Sequence, residues 1–535
     1  MSVLTAEQRP VQAGVPTREG ALVGVASGAV TLGVAELLAG ALVRFLERGG
    51  TPSPLLAVGG AFVDRTPAWL KDWAVATFGT ADKTALAVGM SLTLLVVCAG
   101  IGWLGTRSRR LAVGLFSLVG LVGLAAVLSR PGSSPGDLLP TGVGLVVGAS
   151  LLSRWLTGLA GGDEPVTPSG TSTEARGMPS RRRLLRGAAG LGVAGTLGVV
   201  AGQALSRTGR AAAGALEALG LPVPRRRVDV PASASSDVPG HSAYLTPNAD
   251  FYRIDTALFV PRVDPTTWTL RVHGLVEREV ELSYADLLAE EHVEALVTLT
   301  CVSNQVGGDL VGNATWTGWP VRELLARAGV LPEADMVLSR SADGWTAGTP
   351  LEVLTDDRAA LVAVAMNGEP LPAEHGYPVR LVVPGLYGYV SATKWVTELK
   401  VTRFDADEGY WTPRGWSERG PIKTASRIDV PRAGDALPAA GATVAGVAWA
   451  QHRGVGAVEV RVDDGAWEQA ELLAEPSVDA WRLWTWRWSD PEPGEHTLSV
   501  RATDATGEVQ TDVLAAPAPD GASGWHTVTV EVGPT

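Results

Sequence analysis

Cys301 has the greatest capacity for chemistry in this chain. It is one of two cysteines in 535 residues, and the other, Cys98, lies in a long apolar run. Cys301 follows the alternating run Ala295-Leu296-Val297-Thr298-Leu299-Thr300 and precedes Val302-Ser303-Asn304-Gln305-Val306-Gly307-Gly308. A strand that ends in a cysteine and opens into a glycine-containing loop presents a thiol at the edge of a site. No second cysteine is available to it, so an intrachain disulfide is not expected. A soft thiolate suits a heavy transition metal. A buried structural cysteine is the other reading of the same residue, since free cysteine is among the most buried types.

The residues around this thiol sit in the hydrophilic part of a chain of two characters. Residues 1–205 hold nearly all the long hydrophobic runs; the rest is acidic and rich in Trp, Pro and Gly. A net charge of -12 argues against a nucleic-acid partner, which needs clustered Lys and Arg. Four apolar segments, near 21–45, 84–104, 111–128 and 138–159, reach the roughly 20 residues that cross a bilayer. A fifth, near 187–205, is dominated by Gly and Ala. Arg107, Arg109 and Arg110 fill one loop, and Arg176, Arg181, Arg182, Arg183 and Arg186 precede the fifth segment. By the positive-inside rule the N-terminus is cytoplasmic and everything after the fifth span is outside. Ser180-Arg181-Arg182-Arg183-Leu184-Leu185 resembles a twin-arginine export signal. No A-x-A site follows Leu205, which favours a retained anchor. Glu36 falls mid-span, where a carboxylate serves a pathway or a hydrogen bond to a neighbouring helix. The stretch 67–73, with Trp69 and Trp73, is expected to lie on the outer surface.

In the hydrophilic part, Trp268–Val272 alternates like a strand, Ser283 opens a capped helix, Val321–Ala328 is a short helix, and Pro378–Val383 is a strand entering a Pro384-Gly385 turn. The last hundred residues carry short β-runs with turn signals: Val458–Val462, Trp467–Ala470, Trp481–Trp488, His496–Ala502 and Trp525–Val532. That spacing indicates an all-β sandwich. Trp484, Trp486 and Trp488 share one strand face. A core or an oligomer interface is the expected use, and a sugar-binding platform the alternative.

Five segments, in order over about 290 residues, resemble the sulfite oxidase family of molybdopterin enzymes. They are Thr246–Arg253, continued by Val260-Pro261 and Trp268–Gly274; Leu299–Asn304 with Trp316–Pro320; Met366–Pro372 with His375–Gly385; Gly388–Trp395; and Gly420–Ile428. Together with the apolar spans, the resemblance implies a multi-domain chain: an α-helical transmembrane bundle, then an α+β sulfite-oxidase-type domain, then an immunoglobulin-like β-sandwich. The corresponding divisions are a cytoplasmic tail at 1–19, four spans in 20–160, a basic linker at 161–185, a fifth span at 186–205, a linker at 206–240, a molybdopterin-binding domain at 241–427 and the sandwich at 428–535.

The resemblance also implies roles. Cys301 is the protein ligand of molybdenum, which molybdopterin holds as well. Asn248, Tyr252 and Arg253 line the pocket, His375 and Arg380 reach the phosphate or pterin ring, and Ser391, Thr393 and Lys394 hold the phosphate. The plain alternatives are a turn residue for His375, a surface charge for Arg380 and a solvated strand end for Lys394. Sulfite oxidases continue Cys-Ala-Gly-Asn-Arg-Arg; here Cys301-Val302-Ser303-Asn304-Gln305-Val306 lacks both arginines, so a small dianion loses charge-assisted hydrogen bonds. Trp416 falls where the family carries a tyrosine near the metal, which makes the pocket more apolar. Asn304, Gln305 and Trp416 are therefore candidates for the substrate face.

The expected activity is oxygen-atom transfer on a small sulfur- or nitrogen-containing molecule by a membrane-anchored, extracytoplasmic enzyme. The sequence has no Cys-x-x-Cys-His, no cysteine cluster and no His before His241, so haem or iron–sulfur carriage by the chain is not expected. An external electron partner follows, a cytochrome or a quinone-linked protein. A homodimer through the C-terminal domain is a further expectation. The alternatives are a binding or assembly protein on a degenerate fold, with cofactor content as the discriminator, and a transporter with a sensing domain.

Overall fold

The computed structural model describes residues 17–46, 52–67, 70, 73, 77–78, 82–130, 133–160, 181–207, 220–257, 260–261 and 263–533. The chain divides into two compact units, Met1–Ala213 and Gly214–Thr535. Most of the N-terminal tail, the stretch 161–180 and part of the interfacial stretch 67–73 lie outside the described residues. So do the side chains of the twin-arginine-like signal.

The first unit is helical. Its elements are α1 (Thr17–Leu46), α2 (Pro54–Arg65), α3 (Asp82–Gly105), α4 (Arg109–Leu128), α5 (Leu138–Ala160) and α6 (Arg181–Arg207). Among the described residues, four helices are long and apolar enough to cross a membrane: Arg18–Val43, Ala85–Gly105, Arg109–Leu128 and Pro135–Leu159. These coincide with the four strongest hydropathic segments. The short helix α2 is not among the expected spans, because its 12 residues fall short of the roughly 20 that cross a bilayer.

Helix α6 is richer in Gly and Ala and packs against α1. A Cβ on Gly33 would run into the Gly195 backbone, and one on Gly40 into the Gly202 backbone. Small residues facing each other let helix backbones approach without a hydrophobic driving force. Glu36, on α1, accepts the Ser53 hydroxyl at 2.7 Å and the Leu55 N–H at 3.2 Å, so its carboxylate serves a hydrogen bond to the start of α2. Arg130 pairs with Asp64 across α2.

The second unit is built on strands. The first group is β1 (Thr269–Gly274), β2 (Val280–Ser283), β3 (Val293–Thr300), β4 (Val311–Pro320), β5 (Met336–Ser341), β6 (Thr346–Pro350), β7 (Leu361–Met366), β8 (Glu369–Pro370), β9 (Arg380–Val382) and β10 (Val396–Thr402). They form one sheet of order β2-β1-β10-β5-β6 and another of order β3-β4-β7-β8, with β9 also on β7. Ser283 caps α7 (Tyr284–Leu288) through a capping box with Asp286, and α8 spans Val321–Ala328, ending on left-handed Gly329.

The C-terminal strands are β11 (Ala425–Val430), β12 (Ala436–Leu437), β13 (Ala442–Trp449), β14 (Val455–Val462), β15 (Glu468–Gln469), β16 (Glu471–Leu472), β17 (Arg482–Trp488), β18 (Gly494–Asp504) and β19 (His526–Val532). One sheet runs β11-β13-β17-β16 and the other β12-β19-β18-β14-β15. Ile428, Val444 and Trp484 of the first share a core with Val458, Val500 and Val530 of the second. Trp484 and Trp488 are buried in that core and Trp486 packs at its margin. Trp467 and Trp525 instead meet edge to face at 4.9 Å. The run expected at Trp467–Ala470 shrinks to Glu468–Gln469, and β14 begins three residues before Val458 because Val455 already pairs with Asp504.

The α1–α6 contact yields a test. Gly195→Leu forces the two backbones apart and should cost about 1–3 kcal/mol, the usual cost of overpacking. In detergent, the melting transition of the helical unit should fall by several degrees. Gly190→Leu, at a position with nothing within 4 Å, should leave it unchanged.

Candidate active site

Strand β3 uses both faces. Val293, Ala295, Val297 and Leu299 face one core, together with Trp316, Ala363, Val382 and Phe251. Thr298, on the other face, meets the C-terminal sheets. Its N–H donates to Asp479 O at 2.9 Å, its hydroxyl accepts the Trp481 N–H at 2.7 Å, and its carbonyl accepts Gln451 Nε2 at 2.9 Å. Cys301 leaves the end of β3 with its N–H on Leu310 O at 2.9 Å, and its side chain is buried. Burial pushes the thiol's pKa up, and neighbouring Ser303 offsets this in part. A free thiol in this position is protonated at neutral pH; a bound metal displaces that proton.

The loop after Cys301 is held by its own residues. Asn304 donates its N–H to Cys301 O at 3.0 Å and accepts the Leu310 N–H on Oδ1 at 2.9 Å. Gln305 is exposed at the tip. Gly307 has φ +76°, and a Cβ there would strike the His526 ring. Arg427 donates to Gly308 O at 2.7 Å. The C-terminal region therefore closes directly on the cysteine loop.

The other end of the same sheet face carries Arg380. Register runs from Val293 on β3 to Gly318, Ala363 and Arg380, away from the Thr300–Val311 pair beside Cys301. Arg380 is 4% exposed. Its guanidinium donates to the carbonyls of His375 at 3.0 Å, Leu381 at 3.3 Å and Ala392 at 3.5 Å, and lies 4.9 Å from the Trp316 ring. Among the described residues it has no carboxylate partner, and burial pulls its pKa down to about 10. A buried cation without a counter-ion costs several kcal/mol. Such a group suits an anionic ligand.

Tyr252 lies between the two ends. Its phenol senses both Cys301 and Arg380, and its hydroxyl stands 4.0 Å from the Cβ position of Gly388. Phe251 stacks on Tyr252 at 5.3 Å and meets Trp316 and His375 edge to face at 5.8 and 5.6 Å. His375 Nε2 bonds Asn248 O at 3.0 Å. Burial first, then the charge of Arg380, pull its pKa from 6.5 to about 4, so the ring is neutral at pH 7.

The remaining residues singled out by sequence have other neighbours. The Asn248 side chain bonds Met366 O, Glu369 and Asn367 at the β7–β8 turn. Lys394 pairs with buried Asp255 at 2.6 Å and donates to Glu374 O at 3.0 Å, and Arg253 donates to the same carboxylate at 3.0 Å. Ser391 Oγ donates to Tyr387 O, and Thr393 Oγ1 bonds Ser339 Oγ at 2.7 Å, both fully buried. These hydroxyls shape their own loop. Trp416 is buried against Tyr389 at 5.9 Å and Trp411 at 6.2 Å, in the core that also holds Val302 and Tyr387. Sequence reading missed Ser303, Asp255 and Tyr387. Ser303, two residues past Cys301, is the one whose spacing could have drawn notice.

Among the described residues, no group of three His, Cys, Asp or Glu side chains could hold a metal. A metal at Cys301 needs a chelate from outside the protein. Two surface hollows, of about 620 and 290 Å³, are lined by residues such as Asp237 and Val430, or Arg225 and Val293, and not by Cys301.

Comparison with known proteins gives that chelate a chemistry. Residues 257–411 match the oxidoreductase molybdopterin binding domain. Mouse mitochondrial sulfite oxidase is 31% identical over 347 residues, which is 54% of this chain and 62% of that protein. The oxidoreductase YuiH of Bacillus subtilis (strain 168) is 36% identical over 157 residues, 29% of this chain and 76% of that protein. The chain belongs to the sulfite oxidase family of molybdopterin oxidoreductases. It spans about 62% of the length of the sulfite oxidases it matches. The sulfane dehydrogenase SoxCD from Paracoccus pantotrophus is similar in structure, at 23% identity over 59% of this chain and 93% of that one, with a TM-score of 0.47. The implied cofactor is molybdenum held by molybdopterin. A soft buried sulfur at one end of the face and an unpaired buried guanidinium at the other fit a group that joins a metal to a phosphate.

The neutral His375 ring gives a pH prediction. In the unfolded chain it takes up a proton near pH 6.5, and in the folded chain only near pH 4. Its contribution is therefore level above pH 6.5. Stability is then lost as pH falls toward 4, to a total of about 3 kcal/mol. Denaturant titrations between pH 7 and 4 should show that slope, and His375→Gln should flatten it.

Proposed function

We propose that this chain is a membrane-anchored, extracytoplasmic oxidoreductase that moves an oxygen atom to or from a small, uncharged sulfur or nitrogen compound. The observation that carries this reading is the pairing, on one sheet face, of buried Cys301 with buried and unpaired Arg380. The bound metal supplies two-electron oxygen-atom chemistry. Cys301 holds it, with Ser303 beside it tempering the charge on sulfur. Arg380 binds the cofactor phosphate, and neutral His375 fixes the segment beside it through Asn248. Lys394 and the backbone of the 388–394 loop assist, while Ser391 and Thr393 keep that loop in shape. Tyr252 and Arg253 flank the pterin, and Asn248 anchors the turn behind it. Asn304 keeps the cysteine loop closed, Gln305 stands at its rim, and Trp416 backs an aromatic wall.

Charge supports an uncharged substrate. Residues 1–213 carry 19 Lys and Arg against 11 Asp and Glu, which leaves 25 against 45 in residues 214–535. A strongly acidic unit repels small dianions, and the two arginines that would offset this are absent after Cys301. The same acidity suits a basic electron carrier, a cytochrome or a quinone-linked protein. The basic residues of the helical unit set the N-terminus inside and the second unit outside, with α6 kept as a fifth span by its contact with α1. The paired C-terminal sheets form an immunoglobulin-like sandwich, through which the protein forms a homodimer.

Metal analysis tests the core of this reading. Purified from a host that makes the cofactor, the protein should hold about one molybdenum per chain together with fluorescent pterin. Cys301→Ser should lose the metal or change its redox signal. Folded wild-type protein with neither metal nor pterin would leave a binding or assembly role instead.

A further inference from the structure

Three consecutive arginines, Arg225, Arg226 and Arg227, open the second unit. They are not a loose basic tail. β3 is the outer strand of the order β3-β4-β7-β8, and residues 225–228 run along the start of its free edge. The Arg225 N–H donates to His292 O at 2.8 Å, the Glu294 N–H to Arg226 O at 2.9 Å and the Val228 N–H to Glu294 Oε1 at 3.0 Å. A covered edge satisfies backbone groups that would otherwise recruit another strand. It also fixes where these arginines stand.

Their charges are used differently. Arg225 donates to Glu291 at 2.8 Å and to Glu323 at 3.0 Å, and Glu323 also accepts Trp319 Nε1 at 3.0 Å. Among the described residues the Arg226 side chain has no partner. Arg322, half-buried in the first turn of α8, donates to Asp356 O and Arg358 O, each at 3.2 Å, and meets no carboxylate among the described residues. Arg225, Arg226 and Arg322 line one hollow of about 290 Å³, whose acid is Asp357 and whose apolar wall includes Pro320 and Leu361. With Arg225 neutralised, Arg226 and Arg322 against Asp357 leave one net positive charge. That stands out in a unit with 25 basic side chains against 45 acidic ones.

The planar fork of a guanidinium matches an oxyanion, and two carbonyls already orient that of Arg322. One net positive charge suits a singly charged anion, and the apolar wall suits an organic substituent on it. The cations differ from those assigned to the cofactor. Val293, which also lines the hollow, and Thr300, which precedes Cys301, are the two ends of β3, about 23 Å apart at the usual rise per residue. We propose that this hollow binds a singly charged phosphate ester, with Arg226 and Arg322 as its oxyanion contacts. Two sources share that chemistry, a soluble phosphodiester and a phospholipid head group. Only the second rests on the membrane reading above.

The test titrates the full chain in detergent with dimethyl phosphate, by calorimetry. Wild type should bind one equivalent, more weakly as salt is raised, because the charges are partly exposed. Arg226→Gln and Arg322→Gln should each weaken binding about tenfold, the worth of one charge-assisted hydrogen bond. Asp357→Asn, which removes the hollow's negative charge, should tighten it. Arg227→Gln, outside the hollow, should leave it unchanged, and molybdenum content should be the same in all four variants. For the lipid source, hydrogen exchange at residues 225–228 is compared in nanodiscs of phosphatidylcholine with and without phosphatidylglycerol. Slower exchange with phosphatidylglycerol, absent in Arg226→Gln, assigns the head group; dimethyl phosphate binding without that response assigns a soluble ester. Neither response, or equal affinity in wild type and both arginine variants, overturns the inference and leaves the functional reading standing.

Discussion

The second unit depends on the register of β3. Eight residues, Val293–Thr300, must point one set of side chains into the cofactor face and the other toward the C-terminal sheets. A slip of one residue would exchange the two sets along the whole strand. Apolar burial alone would not prevent that, because both faces are covered. Thr298 prevents it. Its hydroxyl sits between Asn313 Oδ1, to which it donates, and the Trp481 N–H, which it accepts. Asn313 in turn donates to Tyr244 O, which Trp481 Nε1 also reaches. Moved one position, these buried donors and acceptors would face hydrocarbon, at roughly 1–3 kcal/mol for each one left unpaired. The position of the Cys301 thiol and the docking of the C-terminal region are therefore one constraint.

Arg380 shows the opposite design. Its guanidinium is oriented by three carbonyls and a ring face, yet nothing among the described residues neutralises it. Carbonyl dipoles lower the cost of a buried cation without removing it. An anionic ligand that binds only the folded form removes that cost and adds stability by mass action. Any anion that binds Arg380 is in that way coupled to folding through one side chain. His375 fits the same scheme: a second cation beside Arg380 would worsen the repulsion, and burial keeps the ring neutral.

Much of this architecture was legible in the sequence, for physical reasons that differ by element. The four long helices follow from uninterrupted hydropathy, α8 from its apolar spacing, and α7 from Ser283 with Asp286. Cys301 stood out by rarity and by its place after an alternating strand. Side-chain direction within loops was not legible. Ser391, Thr393 and Asn304 have the right chemistry for ligands, but each bonds a backbone or hydroxyl atom that sequence distance hides: Tyr387 O, Ser339 Oγ and the Leu310 N–H. Lys394 was legible as a cation but not as the partner of Asp255, 139 residues away. Tyr387 was missed because its close neighbour, Gly521, is contributed by another part of the fold.

The contribution of Gly521, His526 and Arg427 changes what the C-terminal region is for. A module that only joined two subunits could dock anywhere on the catalytic core. This one places His526 against Gly307, Arg427 on Gly308 O and Gly521 on Tyr387, three contacts around the segments that flank Cys301. Gly307 and Gly521 both have positive φ and no space for a Cβ, so their lack of a side chain is required twice over. Substitutions in the C-terminal sheets can then disturb the segments around Cys301 without touching them, by shifting the loops that carry His526 and Gly521. The segments that flank Cys301 are therefore shaped at the seam between two β-systems, and not by the catalytic domain's own sheets alone.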